Sequence, residues 1–365
     1  MLPEVVQNRL RNIRTERELN KAKSKFNDSV YLKKRSSGFG KAVEEYWLHH
    51  LGVRINPAWH HIYANFTGFE DVKYVSIEPW FDVIHDELNQ PIFYYPTFGD
   101  KNFTDIIFDR SYLPKTVFKR IRGSYYDEEN RPISEKDAFN RYSADDEDKV
   151  AKPSMSSQGD RVFLVKNNGK ELNVNGEAKT VQQLSELLGD NFIVQYRVKQ
   201  HDELDKIYPH SLNTFRVNTL RLNGKMVDLI SVMKFGSSGK INDNHKDAYY
   251  CGVNKKGELS QTAFTRMYEP VLVHPETGVS FHSLGKIPAY ERIRTLCSTL
   301  HSKIPHLDYA SWDVAVNKDG NPIIIEVNSK TNINFTQMFC EKPFFEEYTE
   351  ELLAFVKERR ERKIR

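Results

Sequence analysis

Two neighbouring runs near the end of the chain, 311–316 and 322–328, constrain the fold more than any other feature of the sequence. Both runs are rich in Val, Ile and Trp, and Asp319-Gly320 between them is a dipeptide favoured at the turn of a β-hairpin. A two-residue turn at that dipeptide predicts that Asp313 faces Glu326 across the hairpin. The same register places the apolar residues on the opposite face, as the pairs Trp312 with Val327, Val314 with Ile325, and Val316 with Ile323.

The other face of this predicted hairpin carries Asp313, Glu326 and Asn328. Because side chains alternate along a strand, Glu326 and Asn328 project to the same side. Directly opposed Cβ atoms lie about 5 Å apart, and two carboxylates at that distance repel each other unless a cation lies between them. A hard divalent cation bound by carboxylate and amide oxygens is one such cation. A solvated outer face of the hairpin is the alternative that this segment leaves open.

Length, hydropathy and cysteine content place the chain among soluble globular proteins. Its 365 residues suffice for two or three domains. No stretch of the sequence approaches the roughly 18 consecutive apolar residues that a membrane helix needs. The three cysteines are far apart and include no CxxC pattern, which disfavours both a disulfide framework and a zinc site. We therefore expect a cytoplasmic protein.

Positive charge is concentrated at the two ends of the chain. The net charge of +3 is too small to indicate a nucleic-acid-binding protein. Residues 1–41, however, hold eleven Lys and Arg against four Asp and Glu, and the last nine residues hold six basic residues and two acidic ones. These basic ends leave two alternatives open, contact with an anionic membrane or nucleic acid, or solvated helix faces, which are the commoner explanation.

Four cations stand in or beside segments that are otherwise apolar. Lys101 follows Asp100 at the start of a helix-like segment, and Lys152 precedes Pro153 at the end of a predicted strand. Arg216 and Lys234 each interrupt a β-forming run. Lysines that neutralise phosphates, together with hard oxygen ligands, are what a triphosphate with Mg²⁺ requires.

A polar loop of small residues, 154–160, lies between two predicted strands and includes Ser156, Ser157 and Gly159. Backbone N–H groups in such a loop can close over phosphate oxygens. The loop is not a P-loop, because GxxxxGK[ST] is absent and a strand follows it.

The sequence resembles the ATP-grasp superfamily over about residues 90–340. The motifs that carry the resemblance are, in chain order, Asp100-Lys101, Val150-Ala151-Lys152-Pro153, the loop with Gly159, Val194-Gln195-Tyr196, Asn213-Thr214-Phe215-Arg216, Val232-Met233-Lys234, Asp313 and Ile325-Glu326-Val327-Asn328. The runs 210–216 and 236–244, with Trp312-Asp313, are similar more narrowly to the sugar-transfer-associated ATP-grasp family of polysaccharide-biosynthesis clusters.

The resemblance implies an α+β fold in which two subdomains clamp ATP between their sheets. We expect a helical and aromatic N-terminal region at 1–90 and a small lid subdomain at 91–195. A large subdomain with the magnesium site is expected at 196–342, followed by a C-terminal helix with a basic tail at 343–365.

The resemblance also implies roles for individual residues. Lys101 and Lys152 are expected to bind phosphates, with Ser156, Ser157 and Gly159 as the lid. The connector is expected to contact adenine, and an acid after it to hold the ribose; these residues are Gln195, Tyr196, Arg197, Val198 and either Asp202 or Glu203. Asp313, Glu326 and Asn328 are expected to bind Mg²⁺, and Arg216 and Lys234 to stabilise an acyl-phosphate.

Several positions depart from the pattern of the family. Gln195 stands where many members have Glu, Lys234 stands where relatives often have Arg, and the lid loop has a single glycine. The segment after Lys234 has no Gly-Gly, which affects the expected substrate more than the nucleotide.

The function implied is a carboxylate–amine ligase that uses ATP and Mg²⁺, with a sugar-linked or other small carboxylate and an amine as its substrates. Two alternatives stay open. One is a small-molecule or sugar kinase on the same fold, and the other is a non-catalytic nucleotide-binding or docking module.

Overall fold

The structure is a computed structural model that describes residues 29–89, 97–155, 161–167, 172–174, 177–243 and 247–364, together with a few positions between 13 and 20. Its strands are β1 (Thr116–Ile121), β2 (Ser124–Tyr126), β3 (Pro132–Ile133), β4 (Lys149–Pro153), β5 (Phe163–Asn167), β6 (Leu172–Val174), β7 (Glu177–Lys179), β8 (Phe192–Tyr196), β9 (Thr214–Leu222), β10 (Lys225–Asp228), β11 (Ser231–Phe235), β12 (Tyr249–Val253), β13 (Leu259–Thr265), β14 (Pro270–Val271), β15 (Tyr309–Val316) and β16 (Pro322–Asn328).

The main helices are α1 (Ser37–Leu51), α2 (Ala58–Thr67), α3 (Thr104–Ile107), α4 (Glu135–Tyr142), α5 (Val181–Leu188), α6 (Asp202–Ile207), α7 (Tyr290–Ser302), α8 (Asn334–Cys340) and α9 (Thr349–Ile364). A further run is α-helical over Ile77–Pro79 and His85–Leu88 and π-helical over Trp80–Ile84. None of the helices in the described part of the chain is long and apolar enough to cross a membrane.

Two antiparallel sheets organise the molecule. The small sheet has the order β3-β2-β1-β8-β4-β5-β6-β7, and α4 and α5 contribute to the core that packs against it. The large sheet has the order β14-β13-β12-β11-β9-β15-β16, and β10 pairs with β9 beside it. The mixture of helices and antiparallel sheets confirms the predicted α+β class.

The alternation of side chains along the large sheet separates an apolar face from a polar one. Phe215, Val217, Met233, Trp312 and Val314 point to one side, where they form a core with α7. The residues between them therefore project to the opposite side of the sheet.

The hairpin of β15 and β16 has the predicted register where its polar residues lie. Asp313 faces Glu326, Trp312 faces Val327, and Ser311 faces Asn328. The predicted two-residue turn is wrong, because the backbone N–H of Asn317 donates to the carbonyl of Asn321 at 2.9 Å. Three residues therefore form the loop, and the last of them, Gly320, has a φ of 76°. Such loops commonly end with glycine in this conformation.

A β-bulge compensates for the longer loop. Between the loop and the bulge, Val314 faces Ile324 instead of Ile325, and Val316 faces Pro322 instead of Ile323. The register then shifts between Asp313 and Val314, which restores the pairing expected for the polar residues. As a result Ile324 packs into the core beneath the sheet, where Ile323 and Ile325 were predicted.

The N-terminal region and the C-terminal helix form a second layer against the large sheet. α1 and the run from Ile77 share a core with α9 and with β9 and β10, and α2 packs with α8 and β11 to β13. Basic side chains of α9 contribute to this layer, since Arg359 pairs with Asp308 and Lys363 pairs with Glu87 at 2.8 Å.

Candidate nucleotide and metal site

The polar face of the large sheet brings four charged residues into one buried group. Arg216 on β9 lies opposite Asp313 on β15, and its Nε and Nη2 donate to Oδ1 and Oδ2 at 2.8 Å each. Nζ of Lys234 on β11 lies 3.1 Å from Oδ2 of Asp313 and 3.5 Å from Oδ1 of Asp243. Two cations and two anions therefore alternate across three strands and the loop that follows β11.

Asp243 is the residue of this group that the sequence analysis did not assign. Its Oδ2 accepts hydrogen bonds from both the backbone N–H and the hydroxyl of Thr214, the first residue of β9. The loop after β11 is thereby attached to the sheet next to Lys234. Only the neighbouring small and polar residues, typical of the narrower family, indicated that this loop has a role.

The pKa values of the central pair follow from burial and charge. Burial alone would raise the pKa of the Asp313 carboxyl, but Arg216 and then Lys234 lower it well below its usual range. Burial alone would lower the pKa of Arg216, but Asp313 raises it overall. Burial also raises the pKa of Asp243, against the opposing effect of Lys234. Asp313 is therefore ionised at neutral pH.

Two lysines, Lys101 and Lys152, lie beside the other carboxylate of the hairpin. Nζ of Lys101 lies 2.9 Å from Oε1 of Glu326. The backbone N–H of Lys101 donates to the carbonyl of Ser154 at 2.9 Å, which brings it beside the end of β4 and Lys152. Burial first, and Lys101 second, lower the pKa of Lys152 to about 8, while Glu326 opposes the shift. These lysines lie between the two sheets.

The connector between the sheets, residues 197–201, lies along the hairpin loop. The N–H of Lys318 donates to the carbonyl of Lys199 at 2.8 Å, and the N–H of His201 donates to the carbonyl of Val316 at 2.9 Å. The connector is therefore fixed to the end of the strand that carries Asp313.

One cavity lies beside β8 and another beside the connector that follows it. The first, of about 320 Å³, is lined by Lys101, Gln195, Ile193 and Ile325 among others. Tyr196 follows Gln195 but has its own partner, since its hydroxyl donates to Asp145 at 2.6 Å. The first cavity thus brings a predicted phosphate ligand and a predicted adenine contact together with the bulged residue of the hairpin.

The second cavity, of about 650 Å³, is lined by Arg197, Val198 and Asp205 among others. The two acids predicted after the connector, Asp202 and Glu203, do not line this cavity. Oδ1 of Asp202 lies 3.8 Å from Nζ of Lys318, and Oε1 of Glu203 lies 2.6 Å from Nζ of Lys206. Asp205, which the sequence analysis did not assign, lines this cavity instead.

The hairpin offers a donor set that fits a hard divalent cation. Lys101 contacts Oε1 of Glu326, and Oε2 has no hydrogen-bond partner among the described residues. Ser311 and Asn328 form the facing pair two residues further along the same hairpin. Nδ2 of Asn328 and Oγ of Ser311 are buried without a hydrogen-bond partner in the described part of the chain. Unsatisfied polar atoms beside two carboxylates are what a hydrated cation would satisfy. Ser156, Ser157 and Gly159, the predicted lid, lie outside the described residues.

The N-terminal region holds the open end of this hairpin. Nδ2 of Asn89 donates to the carbonyls of Tyr309 at 2.8 Å and Ser329 at 2.7 Å, and Oδ1 accepts from the N–H groups of Asp308 and Tyr309. Nε2 of His85 lies 2.7 Å from the same Ser329 carbonyl. The residue that follows Asn328 is therefore fixed by two buried side chains from the N-terminal region.

A family model described as sugar-transfer associated ATP-grasp matches residues 85–350. The chain belongs to this family. Its fold is therefore the ATP-grasp fold. A comparison with curated proteins gives no match.

Several solved structures are similar to this member of the sugar-transfer associated ATP-grasp family at low sequence identity. An L-amino acid ligase from Bacillus licheniformis is 14% identical with a TM-score of 0.37, over 71% of this chain and 48% of that one. The ATP-grasp ligase PsnB, complexed with a minimal precursor, Mg and ADP, is 12% identical with a TM-score of 0.41, over 74% of this chain and 62% of that one. D-alanine–D-alanine ligase from Bacillus anthracis is 11% identical with a TM-score of 0.38, over 74% and 70%. The chain spans about half the length of the first and less than two thirds of the second.

Proposed function

We propose that this chain is an ATP- and Mg²⁺-dependent carboxylate–amine ligase. The observation that carries the proposal is the row of buried charges on one face of the large sheet, next to the two lysines of the small subdomain. Lys101 and Lys152 supply positive charge for phosphates, and Arg216 supplies it for the group that is transferred. Membership of the ATP-grasp family supports the same assignment.

In the proposed reaction, a carboxylate oxygen of the substrate attacks the γ-phosphorus of ATP, and the bond to the leaving ADP oxygen breaks. The amine nitrogen then attacks the acyl carbon, inorganic phosphate leaves with the electrons of the C–O bond, and the amine proton passes to solvent. Both steps depend chiefly on positioning and on the stabilisation of negative charge. The positive ends of Lys101, Lys152 and Arg216 supply that charge, and the two sheets exclude water.

Asp313, Glu326 and Asn328 would hold Mg²⁺ in this proposal. The bound ion supplies charge neutralisation and orientation of the phosphate oxygens. Lys234, which is buried between two acids, keeps Asp313 in place. Gln195 and Ile325 line the first cavity, which we assign to adenine, and Asp205 lines the second cavity.

The experiment that tests the proposal is a screen of the purified protein with Mg·ATP, carboxylates and amines, with phosphate release as the readout. The name of the family favours uronic acids and amino acids as the first carboxylates, and a product destined for a cell-surface polysaccharide. We expect phosphate release that requires both a carboxylate and an amine, and a product whose mass equals the two substrates less water.

Variants and product analysis separate this function from the alternatives. Asp313→Asn with Glu326→Gln should abolish phosphate release, whereas Arg294→Gln, which removes an arginine–aspartate pair with Asp228 away from the hairpin's polar face, should leave it unchanged. A stable phosphorylated product formed without an amine would identify a kinase instead. Absence of Mg·ATP binding in calorimetry would favour a docking module and refute the ligase.

A further inference from the structure

The bidentate contact between Arg216 and Asp313 occupies a carboxylate that the proposed function assigns to Mg²⁺. The guanidinium uses both oxygens of Asp313, each at 2.8 Å. Fork-like pairs of this kind are among the strongest hydrogen-bonded ion pairs in proteins. A guanidinium and a divalent ion repel each other, so the two compete for one carboxylate. Metal binding at Asp313 therefore has to weaken or open this pair.

The two cations on Asp313 differ in how firmly they are held. Lys234 has a side chain that is 2% exposed, and it has a second acid, Asp243, on its other side. Arg216 has a side chain that is 21% exposed, and within the described residues Asp313 is the only acid in salt-bridge contact with it. Glu326 acts on Arg216 from a greater distance and is paired with Lys101. The cation that can leave is therefore Arg216, because its departure leaves no other carboxylate without a counter-charge.

We propose that Arg216 is a displaceable counter-ion of Asp313. Without nucleotide it neutralises the buried carboxylate, and it gives up Asp313 to the metal when Mg·ATP binds. The released guanidinium is then free to bind the transferred phosphoryl group, while Lys234 stays on Asp313 as a positioning residue. This inference rests on the proposed function, and it ties the movement of one phosphate-binding group to the arrival of the metal.

Arg216→Gln should change two affinities in opposite directions. Without the competing charge, we expect the affinity for the metal alone to rise by about tenfold. We expect the affinity for the metal–nucleotide complex to fall by about tenfold or more, because a charged contact to phosphate is lost. A variant that only damages the packing of the sheet would weaken both. The opposite signs are therefore the signature of a displaceable counter-ion.

The test titrates Mn²⁺ into the full chain without nucleotide and follows free Mn²⁺ by electron paramagnetic resonance. Wild type, Arg216→Gln, Arg216→Lys and Asp313→Asn are compared, with Arg294→Gln as the matched control for loss of an arginine–aspartate pair. Arg216→Lys keeps the charge but not the two-point contact. Arg216→Lys should therefore gain less Mn²⁺ affinity than Arg216→Gln. If Arg216→Gln does not fold, the Mn²⁺ affinity of Arg216→Lys tests the inference.

Tighter Mn²⁺ binding in the Arg216 variants, unchanged binding in Arg294→Gln and weaker binding in Asp313→Asn are the expected results. Mn²⁺ binding by both Arg216 variants that is no tighter than that of wild type would overturn the inference. That outcome differs from failure of the proposed function, in which the wild-type protein does not bind Mg·ATP at all.

Discussion

Lys152 should make nucleotide binding depend on pH in a range where an ordinary lysine does not titrate. Its pKa lies at about 8 instead of 10.5, because burial and the neighbouring Lys101 both disfavour the charged form. That difference corresponds to about 3 kcal/mol of free energy that opposes protonation in the free protein. Phosphates beside the two lysines favour the charged form, so we expect binding to raise the pKa of Lys152 again.

The size of the effect follows from this pKa. At pH 8 about half of Lys152 is neutral in the free protein, so ATP binding should take up about half a proton. At pH 6.5 the lysine is already charged and uptake at this site should be close to zero. Between pH 8 and about pH 10, each pH unit should weaken nucleotide binding by up to about tenfold.

The same pKa fixes the sign of a stability effect. The folded-state pKa of Lys152 is below its value of 10.5 in an unfolded chain. The charged lysine therefore opposes folding in full below pH 8, and this cost disappears as the pH rises from about 8 towards 10.5.

Calorimetric titration of ATP at pH 8, in two buffers with different heats of ionisation, measures the proton uptake directly. The last ionisation of the ATP phosphates has a pKa near 6 and is complete at pH 8, so it does not contribute to the uptake. Lys152→Met should abolish the uptake. Lys101→Met should reduce it, because Lys152 then loses a like charge and regains a higher pKa. Equal heats in both buffers for wild type, or an unchanged uptake in Lys152→Met, would refute the reasoning.

Changes at three other positions test the frame around the site. Gly252→Ala should lower the free energy of unfolding by about 2–3 kcal/mol, since its Cβ would lie 2.4 Å from the carbonyl oxygen of Phe339; an unchanged urea midpoint would contradict this. Asn89→Asp removes two donors to strand-end carbonyls, so we expect a loss of about 1–3 kcal/mol in thermal denaturation together with weaker Mg·ATP binding. Asp243→Asn should reduce phosphate release by about tenfold with an unchanged circular dichroism spectrum, because Lys234 loses one of its two acids.

Strand alternation made the centre of the site predictable. The apolar and polar positions of the hairpin fix which side chains share a face, so the pairing of Asp313 with Glu326 follows from the sequence. The three-residue loop and the bulge were not predictable. Together they leave the pairing of Asp313 with Glu326 the same as a two-residue turn without a bulge would give. The register predicted from the turn dipeptide alone therefore places Ile325 in the core position that Ile324 occupies.

Contacts between distant segments account for the rest of the differences. No local pattern links Asp243 to Lys234, since the acid is held by a loop whose path depends on Thr214 at the start of β9. The role of Asn89 is equally invisible in the sequence, because its four hydrogen bonds reach residues more than 200 positions away. The displacement of Asp202 and Glu203 from the connector cavity reflects the rotation of α6, which only packing determines.

The attachment of Asn89 also has a consequence for the order in which the protein is made and folds. Its amide lies 240 positions from the Ser329 carbonyl to which it donates, so it acquires that partner only after Ser329 has left the ribosome. The small sheet, in contrast, closes among residues that are near one another in sequence, and such contacts form sooner. A nascent chain that stops before β15 therefore contains Lys101 and Lys152 without Asp313, Glu326 and Asn328, the residues proposed to hold the metal. The proposed metal site is completed after the lysines proposed to bind phosphate.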